Sequence, residues 1–162
     1  MGWPAFVYLQ PMPDGLYERD VLAWSQHQAD LLRRLGRGER VNDIDWAHVA
    51  EEIEDVGLSE LHSVESFLNL ILVHVLKLHA WPESDASRHW RGEIVVFRSN
   101  AKRRFAPSMR QRIDVGALYA EALEQMRETD PGTPWPAENP FTLDHLLTED
   151  TNTLLTRLPP PA

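Results

Sequence analysis

Residues Phe67 to Leu78 read Phe-Leu-Asn-Leu-Ile-Leu-Val-His-Val-Leu-Lys-Leu. Wound into a helix, this run is apolar around most of its circumference. A helix of that kind cannot lie on a surface and needs other helices on several sides. No stretch of the chain sustains the alternation of a half-buried strand, whereas helical spacing of apolar residues recurs throughout. The expected fold is therefore all-α, a single-domain helical bundle of about five or six helices around a buried central helix.

The other helices follow from local signals. A first helix is expected from about Tyr17 to Leu35, with the seam Tyr17, Val21, Trp24, Gln28, Leu31 and Leu35, closed by Gly36 and Gly38. A second starts at the N-cap Asp45, with Ile44 and Val49 as a hydrophobic staple. It would bury Trp46, Val49, Ala50, Ile53 and Val56 and stop at Gly57. The central helix then runs from about Leu58 to Ala80, ended by Pro82. A fourth, Ser87 to Arg104, would bury Trp90, Ile94, Phe97 and Ala101. A capping box of Ser108 and Gln111 opens a fifth, whose Gly116, Ala117 and Ala120 would permit close helix approach. A proline-rich loop, 131–140, leads to a short last helix after Thr142, stapled by Phe141 and Leu146. The expected layout is an N-terminal extension over 1–15, a bundle over 16–150 and a C-terminal tail over 151–162, frayed from Leu158.

A chain of 162 residues suffices for one real core, and its apolar content makes global disorder a poor description. It has no cysteine, which excludes disulfides, thiolate metal sites and a cysteine nucleophile. The N-terminal segment lacks the basic region of a signal peptide and is broken by Pro4, Pro11 and Pro13. The uninterrupted apolar run Leu70–Val73 is far shorter than the ~20 residues of a membrane span. A cytoplasmic protein with no membrane partner is the expectation.

Net charge is −9, but half of the 16 Lys and Arg fall between residues 88 and 112. One use of such a stretch is to neutralise acidic neighbours. The other is to bind an anion or nucleic acid, with Arg88, Arg91, Arg98 and Lys102 on the fourth helix as candidates. Overall acidity repels polyanions, and aromatic residues suited to base stacking are sparse, so nucleic acid is the disfavoured partner.

Two polar constellations stand out. Asp45, His48, Glu52 and Asp55 share one face of the second helix, with Glu51 and Glu54 adjoining. Imidazole with carboxylate suits a transition metal. Yet the paired Glu-x-x-His of di-iron bundles and the HExxH zinc pattern are both absent, so no metal or cofactor is assigned. On the central helix His62, Ser66, Asn69 and Lys77 form a polar strip with His74 at its edge. Buried polar groups need partners, and Glu51, Glu52 or Asp20 could supply them. The polar cluster to watch is thus Asp20, Glu51, Glu52, His74 and Lys77. It would serve first as an ion-pair centre fixing helix register, and second as a pocket where an acid works with His74 or Lys77. No nucleophile elbow, phosphate loop or dinucleotide fingerprint accompanies it. The six tryptophans are expected in the core and at its edges.

Taken in order, several segments resemble the bacterial family called domain of unknown function 29 (DUF29). They are Leu16-Tyr17-Glu18-Arg19-Asp20 with Trp24, Ala50 to Glu54 through Gly57 to Glu60, and His74-Val75-Leu76-Lys77. Trp90 with Ile94 and Arg98, and Pro136 to Leu143, complete the set. The resemblance spans about residues 16–150 and implies an all-helical fold with no established activity. It marks Asp20, Glu51, Glu52, Glu54, His74, Lys77 and Trp90 as family-pattern positions. The pattern also accepts Asn at His48, and Asn139 stands where cysteine is frequent.

These observations favour an interaction or regulatory module that binds a protein partner or a second copy of itself. The alternatives are a metal- or acid/base-dependent enzyme built on Glu51, Glu52, His74 and Lys77, and nucleic-acid binding through the basic fourth helix.

Overall fold

The computed structural model describes residues 15–160. Among them are seven α-helices, one short 3-10 turn and no strand. The helices are α1 (Leu16–Arg19), α2 (Val21–Gly36), α3 (Trp46–Ala80), α4 (Ser87–Arg104), α5 (Val115–Thr129), α6 (Leu143–Thr148) and α7 (Thr151–Arg157). The chain divides into two compact units, one ending at Val56 and one beginning at Gly57.

In the first unit the expected single helix 17–35 is two. Asp20 leaves helical geometry at φ −153°, ending α1, and its carboxylate accepts from the Ala23 amide to start α2. Trp24, Gln28 and Leu31 are buried as expected, but Val21 and Leu35 at the ends of that seam are exposed. Gly38 closes α2 at φ +83°, a conformation that suits glycine alone.

The largest departure is α3. Gly57 does not end the second helix, so the two helices expected over 45–80 are one. Glycine stops a helix when it turns left-handed, and Gly57 does not. In a helix interior it costs only about 1 kcal/mol relative to alanine. Asp45 caps the N-terminus as expected, accepting from the His48 amide while its own carbonyl accepts from Val49. The expected buried stripe is not formed. Val49 alone of its large side chains is buried, whereas Trp46, Ile53 and Val56 are 61, 67 and 69% exposed. Within this unit the cover lies on the side of Val49 and Glu52, which leaves the Trp46–Ile53 side open.

In the second unit the core is built on α3 as the sequence requires. Val64, Leu68, Ile71, Leu72, Val75 and Leu76 are wholly buried. α3 is long and apolar enough to cross a membrane by length and composition, but most of its apolar window is buried inside the protein, as in a core helix. α4 contributes Ile94 and Ala101, and α5 contributes Tyr119, Ala122, Leu123 and Met126.

α5 opens later than expected. Pro107–Met109 forms the 3-10 turn, and Asp114 rather than Ser108 is the cap, accepting from Ala117 at 3.0 Å. Gly116, Ala117 and Ala120 face outward, so they make no close helix contact. The loop after α5 has four prolines that cannot donate, and it is held by borrowed donors. Tyr119 donates to the Pro136 carbonyl at 2.8 Å, and Trp135 Nε1 to the Asp130 carbonyl at 3.0 Å. Asn139 closes on Phe141 through both its amide atoms. The Thr142 cap and the Phe141–Leu146 staple are as expected. The region expected as a tail instead forms α7, capped by Asp150, with Leu154 and Leu158 in the core.

Candidate functional site

In the first unit, α1, α2 and the start of α3 converge on Asp45. One carboxylate oxygen meets His48 Nδ1 at 2.7 Å and accepts from Trp24 Nε1 at 3.2 Å. Gln28 Oε1 accepts from the Asp45 amide at 2.9 Å. The His48 ring stacks on Tyr17, with centroids 4.0 Å apart, and the Tyr17 hydroxyl donates to Glu52 at 2.7 Å. The hydrogen bond to Asp45 raises the His48 pKa, and the bond from His48 lowers that of Asp45. The hydrogen bond to Glu52 and the acidic surroundings push Tyr17 up to about 12. An imidazole oriented by a carboxylate resembles half of a catalytic triad. Here the same carboxylate also caps α3 and accepts a hydrogen bond from Trp24, so its evident work is to seat α3 against α2.

Beside this set lies the open side of α3. Trp46, Ile53 and Val56 are exposed along one side of the helix with Glu54 at its flank, and Glu51 and Asp55 are exposed on the opposite side. Among the described residues these three acids have no ion-pair partner.

The second unit holds the other expected residues. His74 is buried, with Nδ1 2.7 Å from the Leu70 carbonyl and Nε2 2.7 Å from Glu93. Glu93 also lies 3.3 Å from the exposed His89. Lys77 sits over the Trp90 ring at 5.8 Å, and Trp90 neighbours Trp81, which meets Trp135 edge-on. The polar strip of α3 lines a cleft of about 530 Å³, formed by His62, Glu65, Ser66 and Asn69 facing Glu121 and Gln125 of α5. Asn69 accepts from Gln125 there at 3.2 Å. No group of three or more metal-ligating side chains is present among the described residues.

The residues of the expected cluster each have a place within their own unit. Asp20 is a helix cap, Glu52 is engaged by Tyr17, His74 by Glu93, and Glu51 is exposed without an ion pair. Glu93 was missed as a site residue. It is the single acid between residues 88 and 112, and a buried histidine that needs a partner was the clue to it.

The basic residues sort into two groups. Arg104 pairs with Glu60 and Arg110 with Asp144, both at 2.9 Å. Arg98 donates through Nε to the Leu146 carbonyl at the end of α6, and burial pulls its guanidinium below the usual range. Arg88 and Lys102 are exposed and have no ion-pair partner among the described residues. Arg91 and Arg103 are exposed and, among the described residues, bond only to the side-chain amides of Asn152 and Asn100.

The fold defines an all-helical protein. The chain belongs to the family described as domain of unknown function DUF29, whose model matches residues 16–151. It is similar to an α-helical protein of unknown function from Rhodospirillum rubrum, whose crystal structure is 34% identical, with a TM-score of 0.68. The similarity covers 89% of this chain and 98% of that one. No curated protein matches the chain.

Proposed function

We propose that the protein is an interaction module that receives a basic amphipathic segment of a protein partner on the open face of α3. One observation carries this reading: Trp46, Ile53 and Val56 are exposed together along one side of α3, flanked by the uncompensated Glu54. Covering a large apolar side chain is worth about 1.5–3 kcal/mol, so three on one face form an adhesive strip. Glu54 at its edge and the net charge of −9 favour a segment with Lys or Arg beside its apolar residues. The acid/base reading has less support, because Glu52 and His74 are engaged by Tyr17 and Glu93. Nucleic-acid binding is opposed by a net charge of −9.

Calorimetric titration with two model amphipathic helical peptides tests the proposal, one carrying Leu at helical spacing among Lys and the other Leu at the same spacing among Glu. The Lys peptide is expected to bind and the Glu peptide not. I53D and V56D should each weaken binding at least tenfold. Equal binding of both peptides, or variants that bind as wild type does, would overturn it.

A further inference from the structure

We infer that the cleft between α3 and α5 is a binding site for a small organic cation, an ammonium or guanidinium group on a short aliphatic body. The cleft lies wholly within the second unit, so it stands apart from the α3 face around Trp46. Its volume of about 530 Å³ falls within the range of about 300–1,000 Å³ typical of small-molecule sites.

The hydrogen-bonding capacity of its lining points to what it takes. Glu65 of α3 is half-buried and Glu121 of α5 is exposed. Neither carboxylate has an ion-pair or hydrogen-bond partner among the described residues. Ser66 spends its hydroxyl hydrogen on the His62 carbonyl at 2.8 Å, so toward the cleft its oxygen can only accept. Gln125 gives its amide nitrogen to Asn69 at 3.2 Å, which leaves its own carbonyl oxygen as an acceptor. Four side chains, two from each helix, thus offer acceptors, and no Lys or Arg lines the cleft to answer them. Asn69, only 8% exposed, ties the two walls together, since it also donates to the Leu118 carbonyl at 3.4 Å. The acceptors are therefore held in place before any ligand arrives.

A molecule that satisfies such a lining must bring both hydrogen-bond donors and positive charge. An ammonium or a guanidinium group does so, and its bonds to carboxylates are of the stronger, charge-assisted kind. Leu70 and Leu118 give the aliphatic body apolar wall to lie on. A metal ion suits the cleft less well, because no group of three or more metal-ligating side chains converges among the described residues. An anion is opposed by both carboxylates.

Calorimetric titration of the full chain with agmatine, which carries an ammonium and a guanidinium on one aliphatic body, tests this. Butanediol serves as the uncharged control. Agmatine is expected to bind with one molecule per chain, and butanediol not to bind. E65Q and E121Q keep the shape of the cleft and remove charge, and each should weaken binding about tenfold. S66W keeps both carboxylates and fills the cleft, and should abolish binding. E51Q/D55Q removes two exposed carboxylates from the first unit and should change nothing. None of these positions is buried, and circular dichroism checks that each variant folds. Absence of binding by wild type at millimolar agmatine overturns the inference. So does binding that a folded S66W retains, or butanediol binding as well as agmatine. A loss in E51Q/D55Q equal to that in E65Q also overturns it, since that is the general attraction of a cation to an acidic chain.

Discussion

His74 turns both ring nitrogens toward acceptors, Nδ1 to the Leu70 carbonyl and Nε2 to Glu93, each at 2.7 Å. The carbonyl can only accept, so Nδ1 carries hydrogen. One further hydrogen must lie between Nε2 and the carboxylate. This contact ties α3 to α4 through a side chain only 7% exposed.

Removing either partner strands the other. H74A should cost about 2–4 kcal/mol, combining a lost buried ring with an unpaired polar group. E93A should cost about 1–2 kcal/mol, since Glu93 is partly solvated. Urea denaturation of both single variants and the double variant gives their coupling, expected at about 1–2 kcal/mol. Simple additivity would show that the contact does not operate in solution.

Tyr119 and Tyr17 should ionise late. Burial pushes Tyr119 up to about 12, and the bond to Glu52 leads the rise of Tyr17 to about 12. A raised phenol pKa means that the folded state holds the proton more firmly than the unfolded chain, where tyrosine titrates near about 10. The stabilisation is complete below that value and fades as pH climbs toward 12. Absorbance titration near 295 nm should show two tyrosines ionising above the normal range. Y119F, which loses the bond to Pro136, should remove one of them and cost about 1 kcal/mol.

His48 and Asp45 shift in opposite directions. The raised histidine favours folding below its unfolded value of about 6.5 and loses that effect as pH rises through its folded value. The depressed aspartate favours folding above about 3.9 and loses the effect as pH falls through its folded value. Their joint contribution is therefore largest in the weakly acidic range between those limits. In NMR titration the His48 ring should titrate above the free imidazole value, and D45N should bring it back down. An unchanged midpoint in D45N would discount the contact.

Gly57 offers a stabilising change. It lies inside α3, and a Cβ added there meets nothing within 4 Å. G57A should raise stability by about 1 kcal/mol, visible as a higher melting temperature. A lower melting temperature would mean that this position departs from regular helix.

The parts of the fold legible in the sequence are those set by neighbouring residues. α4 runs from Ser87 to Arg104 as expected, and Thr142 caps α6 with the Phe141–Leu146 staple. The all-apolar run of α3 becomes the core as its composition demands. Asp20 and Gly57 were misread because each residue has two local uses. Asp20 is tolerated within a helix although it favours the cap, and glycine ends a helix only where a left-handed turn completes it. The candidate site was less legible. The choice of Glu93 rather than Glu52 for His74 depends on how α4 crosses α3, which no local pattern encodes. The exposure of Trp46 depends on what does not pack against it, and periodicity records only that a face is apolar.

The proline-rich loop has a practical side. Tyr119, Trp135 and Asn139 supply the donors that fasten it, and all their bonds fall outside Ala137 and Glu138. Those two residues are exposed and make no hydrogen bond to the described residues. Extra residues inserted between them would unfasten nothing. A dye, an epitope or a whole fused reporter can be spliced in at that point without breaking any of these bonds.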